Sequence, residues 1–344
     1  MDKMWKRRQL FHATDFQSLM YPNFIICRIL GIFPYKINAS TFETSRSRYI
    51  LQVFPICVVC IGELMILREI FITKTVNFGD VTETLDSIFF FTFNGFVTLI
   101  TCFLSGPKMR VLQAMLDTST RLPPESYQKL SRWIHVKDIL GTFFLVAHGL
   151  IRYYKIREKL FIILFSAYIV IVVFEMDMQY MNCVCVLKAC FKRINDNLVH
   201  MQKIIVNDTP YAPKMIWHTQ KNQLLLVELR MLKKQHLIIS NTVQMLNVMF
   251  SLQLLVSITL TFIEITYELY SHLLRWQNGL SFILDDEISD MFFLTCIAYD
   301  FIKLILIVWA CETNKNQAFE ISTTIHDVLN RTSDMQIKDE VKKI

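Results

Sequence analysis

Charge is scarce in this chain, and so are the residues that interrupt helices. Asp, Glu, Lys and Arg make up 19% of its 344 residues, against about 25% in a typical soluble domain. There are only eight glycines and eight prolines, and neither type occurs between Pro213 and Gly279. The glycines form no GxGxxG or GxxxxGK phosphate cradle, the histidines no HExxH zinc pair, and no GxSxG nucleophile elbow exists. These absences argue against nucleotide-driven, zinc-dependent and acyl-transfer chemistry. No catalytic residue, metal site or cofactor is expected, and the chain does not read as an enzyme. None of the nine cysteines falls in an expected extracellular loop, so packing rather than disulfide pairing is their expected role.

Apolar residues dominate instead, at 53% with a mean hydropathy of +0.36. Six stretches are long and apolar enough to cross a hydrocarbon core, which needs about 20 such residues in helical form: 49–72, 85–104, 137–153, 159–183, 243–270 and 288–311. The expected fold is all-α, a polytopic membrane bundle of six transmembrane helices. The earlier apolar run, Phe24–Phe33, is short, carries Arg28 and lacks a signal-peptide pattern.

Basic residues set the orientation, because Lys and Arg concentrate on the cytoplasmic side. Of the 36, 28 fall in the N-terminal segment, the second-to-third and fourth-to-fifth connections and the tail, against 6 on the opposite side. Both ends are therefore expected in the cytoplasm. The short third-to-fourth connection, with Arg152, Lys155, Arg157 and Lys159, runs against this sum. The net charge of +6 follows from topology and not from a nucleic-acid face. The sequons at Asn38, Asn207 and Asn330 fall on the cytoplasmic side and are expected to be unused.

The stretch free of Gly and Pro predicts that span five continues as a long cytoplasmic helix. Leu225, Leu229, Leu232 and His236 recur at helical spacing there and need a partner. The expected partners are 188–205 and the tail, through Phe319, Ile325, Val328 and Leu329, forming a cytoplasmic anchor bundle. The expected divisions are a cytoplasmic segment 1–48, transmembrane helices one to four over 49–187, a cytoplasmic helical connection 188–242, helices five and six over 243–311, and a tail helix 312–344.

Within the spans, Asp300 and Lys303 sit three apart and are expected to pair along one helix. Glu175 and Asp177 lie deeper in span four. An outward-open pocket would draw on polar and aromatic residues in the outer halves of the spans. By depth and type the candidates are His148, Tyr168, Glu264, Tyr267 and Phe293. His148 is expected to pack on a neighbouring helix through one hydrogen bond rather than to bind metal.

Leu30-Gly31-Ile32-Phe33-Pro34-Tyr35, just before span one, resembles the LGLFP-type segment of insect gustatory receptors. After span six, Ala310-Cys311-Glu312, Ile325-His326-Asp327-Val328-Leu329-Asn330 and Asp339-Glu340-Val341-Lys342-Lys343 resemble the tail leading to that family's last span. Insect odorant receptors share the architecture and are the nearest alternative. The resemblance implies a multi-pass plasma-membrane receptor for small-molecule tastants, gating cations as a homo- or hetero-tetramer of seven-span subunits. It also implies a seventh, pore-lining helix carrying TYxxxxxQF. No such motif occurs here, and Ile344 falls where that helix is due. On this reading the chain as given has no pore residues and cannot form a pore alone. A secondary transporter relaying ions through Glu175, Asp177 and Asp300, or a non-conducting modulatory subunit, are the competing expectations.

Overall fold

A computed structural model describes residues 11–37, 41–44, 46–73, 81–155, 160–206, 215–277, 284–331 and 335–342. Asn38 and Asn207, the outer connections at 74–80 and 278–283, and the side chains of the basic 152–159 connection lie outside the described residues.

The chain opens with helix α1 (Phe16–Ile29). Asp15 accepts a hydrogen bond from the Ser18 amide at 2.7 Å, and the Ser18 hydroxyl accepts one from the Asp15 amide at 3.1 Å. This reciprocal cap satisfies donors that a helix start otherwise leaves open. Gly31, at φ +76°, ends the helix, and the Ile32 amide donates back to the Cys27 carbonyl. A two-stranded antiparallel ribbon follows, β1 (Tyr35–Ile37) on β2 (Phe42–Thr44), which no sequence pattern had suggested.

The rest is helical: α2 (Arg46–Arg68, prolonged by a π turn to Thr73), α3 (Val81–Phe103), α4 (Ser105–Ser119), α5 (Pro124–Lys155), α6 (Leu160–Val206), α7 (Met215–Gln277), α8 (Leu284–Arg331) and α9 (Met335–Val341). Five described helices, α3 and α5 to α8, are long and apolar enough to cross a membrane. The first expected span is also helical, in α2. Its Ile50, Phe54, Ile61 and Leu64 point outward, more than half exposed. So do Phe143 on α5, Val248 and Leu255 on α7, and Ile305 and Val308 on α8. Exposed apolar rows on several helices suit a lipid surface and would be a liability in water.

Helix α6 is the axis. Every residue from Val172 to Leu187 is buried, as befits a helix enclosed on all sides. Its largest interface is with α8, and α3, α5 and α7 also pack against it. Helices α6, α7 and α8 run unbroken through positions 187, 242 and 311, the boundaries expected between membrane and cytoplasm.

Below the spans the helices do pack through the expected stripe on α7. Leu225, Leu229 and Leu232 are buried, and His236 lies 5.9 Å from the Phe191 ring of α6. The tail stripe needs one correction. Ile321, Thr324 and Val328 face the core, whereas Phe319 is 68% exposed. Starting from buried Gln317, the inward face runs 317, 321, 324, 328 at helical spacing, which turns 319 away.

Candidate functional site

Two tiers of residues stand between the α7–α8 ends near Gln277 and Leu284 and the bundle around Leu225, Leu229 and Leu232. The lower is a buried polar network joining α6, α7 and α8. Lys303 of α8 places its Nζ 3.3 Å from Oδ2 of Asp177 on α6. Asp177 also accepts from Ser257 Oγ at 3.0 Å and Gln253 Nε2 at 3.3 Å, both on α7. Asp177 is 1% exposed. A carboxylate so enclosed is tolerable only when paired and hydrogen-bonded, and these three partners meet that condition.

This arrangement overturns the expected Asp300–Lys303 pair. The lysine reaches across the helix interface and not along its own helix. Asp177 is the more enclosed anion and holds two further donors in place, so the cation's greater gain lies there. Asp300 is itself buried and lies within electrostatic range of Lys303, Glu268 and Asp86.

The sequence marked Asp177 but missed Gln253 and Ser257. Their signal was present: Gln253, Ser257 and Thr261 repeat every fourth residue in an otherwise apolar span, and all three are buried. A polar row of that kind faces the bundle and not lipid.

The upper tier is aromatic. His148 of α5 stacks on Phe292 and Tyr299 of α8, with centroids 5.4 and 6.2 Å away, and its Nδ1 lies 3.5 Å from Cys296 Sγ. Phe293 stacks on His272 of α7 at 4.2 Å, and His272 Nδ1 lies 3.7 Å from Asp290. Tyr267 of α7 meets Phe89 of α3 at 6.4 Å. Glu264 is half-buried on α7 and within electrostatic range of Lys303.

Tyr168 is elsewhere. Its hydroxyl donates to the Leu30 carbonyl at 2.9 Å, so it tethers the N-terminal segment. Depth along α6 gave no indication that the Leu30–Tyr35 turn reaches up beside it. The five candidates therefore occupy several interfaces. Two cavities, of about 230 and 450 Å³, lie lower in the molecule, and none of the five lines either.

The Leu30–Tyr35 turn is itself a packing hub. Ile32, Phe33 and Tyr35 are at most 2% exposed. Phe33 stacks on Phe24 at 4.6 Å, and the Tyr35 hydroxyl donates to the Ser105 carbonyl where α4 begins. Nearby, Asn23 Nδ2 donates to Glu175 Oε2 at 2.8 Å, tying α1 to α6. Glu175 thus serves an anchor and not an open passage. Among the described residues, no group of three His, Cys, Asp or Glu side chains is placed to hold a metal.

The long apolar helices with lipid-facing rows define a multi-pass, all-α membrane bundle. The profile of the family described as "7tm Chemosensory receptor" matches residues 20–344, and the chain belongs to that family of chemosensory receptors. No curated protein matches it. Among solved structures it is similar to the insect olfactory receptor OR5 from Machilis hrabei, with a TM-score of 0.64 and 10% identity, covering 95% of this chain and 88% of that one. The same receptor in complex with eugenol gives a TM-score of 0.62 and 10% identity, covering 95% and 87%. At that identity the likeness establishes the fold.

Proposed function

We propose that this chain is a gustatory receptor subunit of the plasma membrane, gating cations within a homo- or hetero-tetramer in response to a small-molecule tastant. The observation that carries this reading is the chemosensory-family match over 20–344, joined to the Leu30–Tyr35 segment buried at the root of the bundle. The proposed ligand contacts are the upper-tier residues His148, Tyr267, Phe293 and Glu264, which offer flat stacking faces and a few polar anchors. Tyr168 leaves the set because its hydroxyl is engaged by Leu30. OR5 in complex with eugenol gives a precedent for a small molecule bound by a protein of this fold. The lower network suits a receptor better than an ion relay, because Asp177 is already paired with Lys303.

The test is expression of the chain, alone and with related subunits, in cells carrying a calcium reporter. The panel would include sugars, bitter compounds and volatile odorants. Tastant responses that His148→Ala or Tyr267→Ala shifts to at least about tenfold higher concentration, at unchanged surface level, support the reading; a tenfold shift corresponds to about 1.4 kcal/mol. Responses to odorants alone would move the chain to the odorant branch. Responses indifferent to both substitutions would remove the proposed pocket.

A further inference from the structure

The larger cavity, about 450 Å³, opens between α5, α6 and α8 where these helices leave the apolar zone. Its walls carry Lys129 of α5 and Lys188, Lys192 and Arg193 of α6, against a single carboxylate, Asp196. Among the described residues, none of the four cations forms a salt bridge. Its other feature is a pair of tryptophans, Trp133 of α5 and Trp309 of α8, edge to face at 5.6 Å. Lys188 Nζ stands 5.2 Å from the Trp309 ring centre, a favourable placement for a cation.

The level of this pocket is fixed independently by three helices. Trp133 lies four residues before the apolar run that starts at Lys137, Trp309 lies two residues before Cys311 ends span six, and Lys188 lies five residues past Cys183 at the end of span four. Tryptophan favours the membrane–water boundary. Converging unpaired cations at the cytoplasmic boundary provide a site for a polyanion held at that level. A soluble anion would gain nothing from the tryptophans. A lipid would place its phosphates among the lysines and its glycerol and upper chain against the rings.

We infer that this pocket binds the phosphorylated headgroup of an anionic inner-leaflet phospholipid, with a phosphoinositide preferred over singly charged lipids. Four cations against one carboxylate match a headgroup carrying several negative charges.

The test uses the purified full chain and vesicles of phosphatidylcholine alone, or containing phosphatidylserine or phosphatidylinositol bisphosphate, with soluble inositol trisphosphate as competitor. Bound lipid is counted by native mass spectrometry after extraction, and affinity is read with a fluorescent phosphoinositide. The expected result is selective retention of the bisphosphate lipid. Lys129→Gln/Lys192→Gln should weaken binding roughly thirtyfold, at about one surface-lysine increment for each. Lys203→Gln/Lys234→Gln, at exposed positions outside the pocket, should leave it unchanged. Trp309→Leu keeps every cation and should still weaken lipid binding. Equal losses in both double variants, no preference over phosphatidylserine, or inositol trisphosphate binding as tightly as the lipid would each overturn the assignment. Melting temperatures recorded alongside separate a lost site from a lost fold.

Discussion

Removing Lys303 and Asp177 together should cost this protein far less than the sum of removing each alone. The pair is 3.3 Å apart, with side chains 12% and 1% exposed. Lys303→Met leaves Asp177 with only the Ser257 and Gln253 donors, a net negative charge enclosed by three helices. Stranding one member of a buried pair costs about 3–5 kcal/mol. Asp177→Leu strands the ammonium instead and also unpairs the Ser257 hydroxyl and the Gln253 amide, adding about 1–3 kcal/mol for each. The double variant, Asp177→Leu/Lys303→Met, strands neither member of the pair and places two apolar side chains in the gap; buried Asp300 loses its nearby cation in Lys303→Met and in the double variant alike, so that loss cancels in the cycle. Replacing both partners of such a pair is often neutral or better. Beyond the loss at Asp300 that it shares with Lys303→Met, its cost should reduce to the two α7 donors, about 1–3 kcal/mol each, well below the sum of the singles. The measurement is a double-mutant cycle on the purified chain in one detergent, read as the temperature at which the monodisperse size-exclusion peak is half lost. Asp300→Asn run beside it should show no comparable coupling to Lys303→Met. Additivity of the Asp177 and Lys303 changes to within about 0.5 kcal/mol would refute the reasoning, since a pair that does not couple is not holding the helices together.

Gly31→Ala should destabilise by at least about 1–2 kcal/mol, because φ +76° is costly for any residue with a Cβ; the added carbon would also lie 2.5 Å from Pro55 Cγ, and an unchanged melting temperature would contradict both. Tyr168→Phe should cost about 1 kcal/mol through the lost bond to the Leu30 carbonyl while leaving ligand sensitivity intact; a shifted dose–response curve would return Tyr168 to the pocket. Burial pushes the Cys27 thiol up to about 12, so at pH 8 it stays protonated and a maleimide should label exposed Cys311 well before it in the native chain, with Cys27 reacting only after denaturation. Treatment with an N-glycosidase should leave gel mobility unchanged, whereas a shift would reverse the orientation drawn from the Lys and Arg distribution.

How much of this could be read beforehand depended on whether the signal lay within one helix or between two. The Gly- and Pro-free stretch signalled α7, because nothing in it carries the helix-interior penalty of Gly or Pro. Leu225, Leu229 and Leu232 declared its inward face by spacing alone. The Leu30–Tyr35 segment was legible as a motif, but its place against Pro55 and Tyr168 was not, since nothing local encodes how far the turn rises beside α2 and α6. The Asp300–Lys303 expectation failed for the same reason. Sequence shows the neighbour three residues away and hides the better one more than a hundred residues away, at Asp177. Phe319 illustrates a smaller error, in which residue type was allowed to outweigh helical phase. The aromatic tier was recognisable by composition and depth, but its division among the α5–α8, α7–α8 and α3–α7 contacts needed the packed structure.

Helix α7 is continuous for 63 residues, or roughly 95 Å at 1.5 Å per residue. One rod thus carries Tyr267 near its outer end, Ser257 and Gln253 in the lower network, and Leu225 deep in the cytoplasmic bundle. A tilt of about 3° around its midpoint displaces each end by roughly 2.5 Å, close to the width of a hydrogen-bond contact. Tyr267 and Leu225 lie equally far from the midpoint of Met215–Gln277, so any shift of the rings at the top is matched by an equal and opposite shift in the packing at the bottom. Gln253 and Ser257 sit much nearer that midpoint than either end does, so under such a tilt their contacts with Asp177 would be displaced least and would act as its fulcrum.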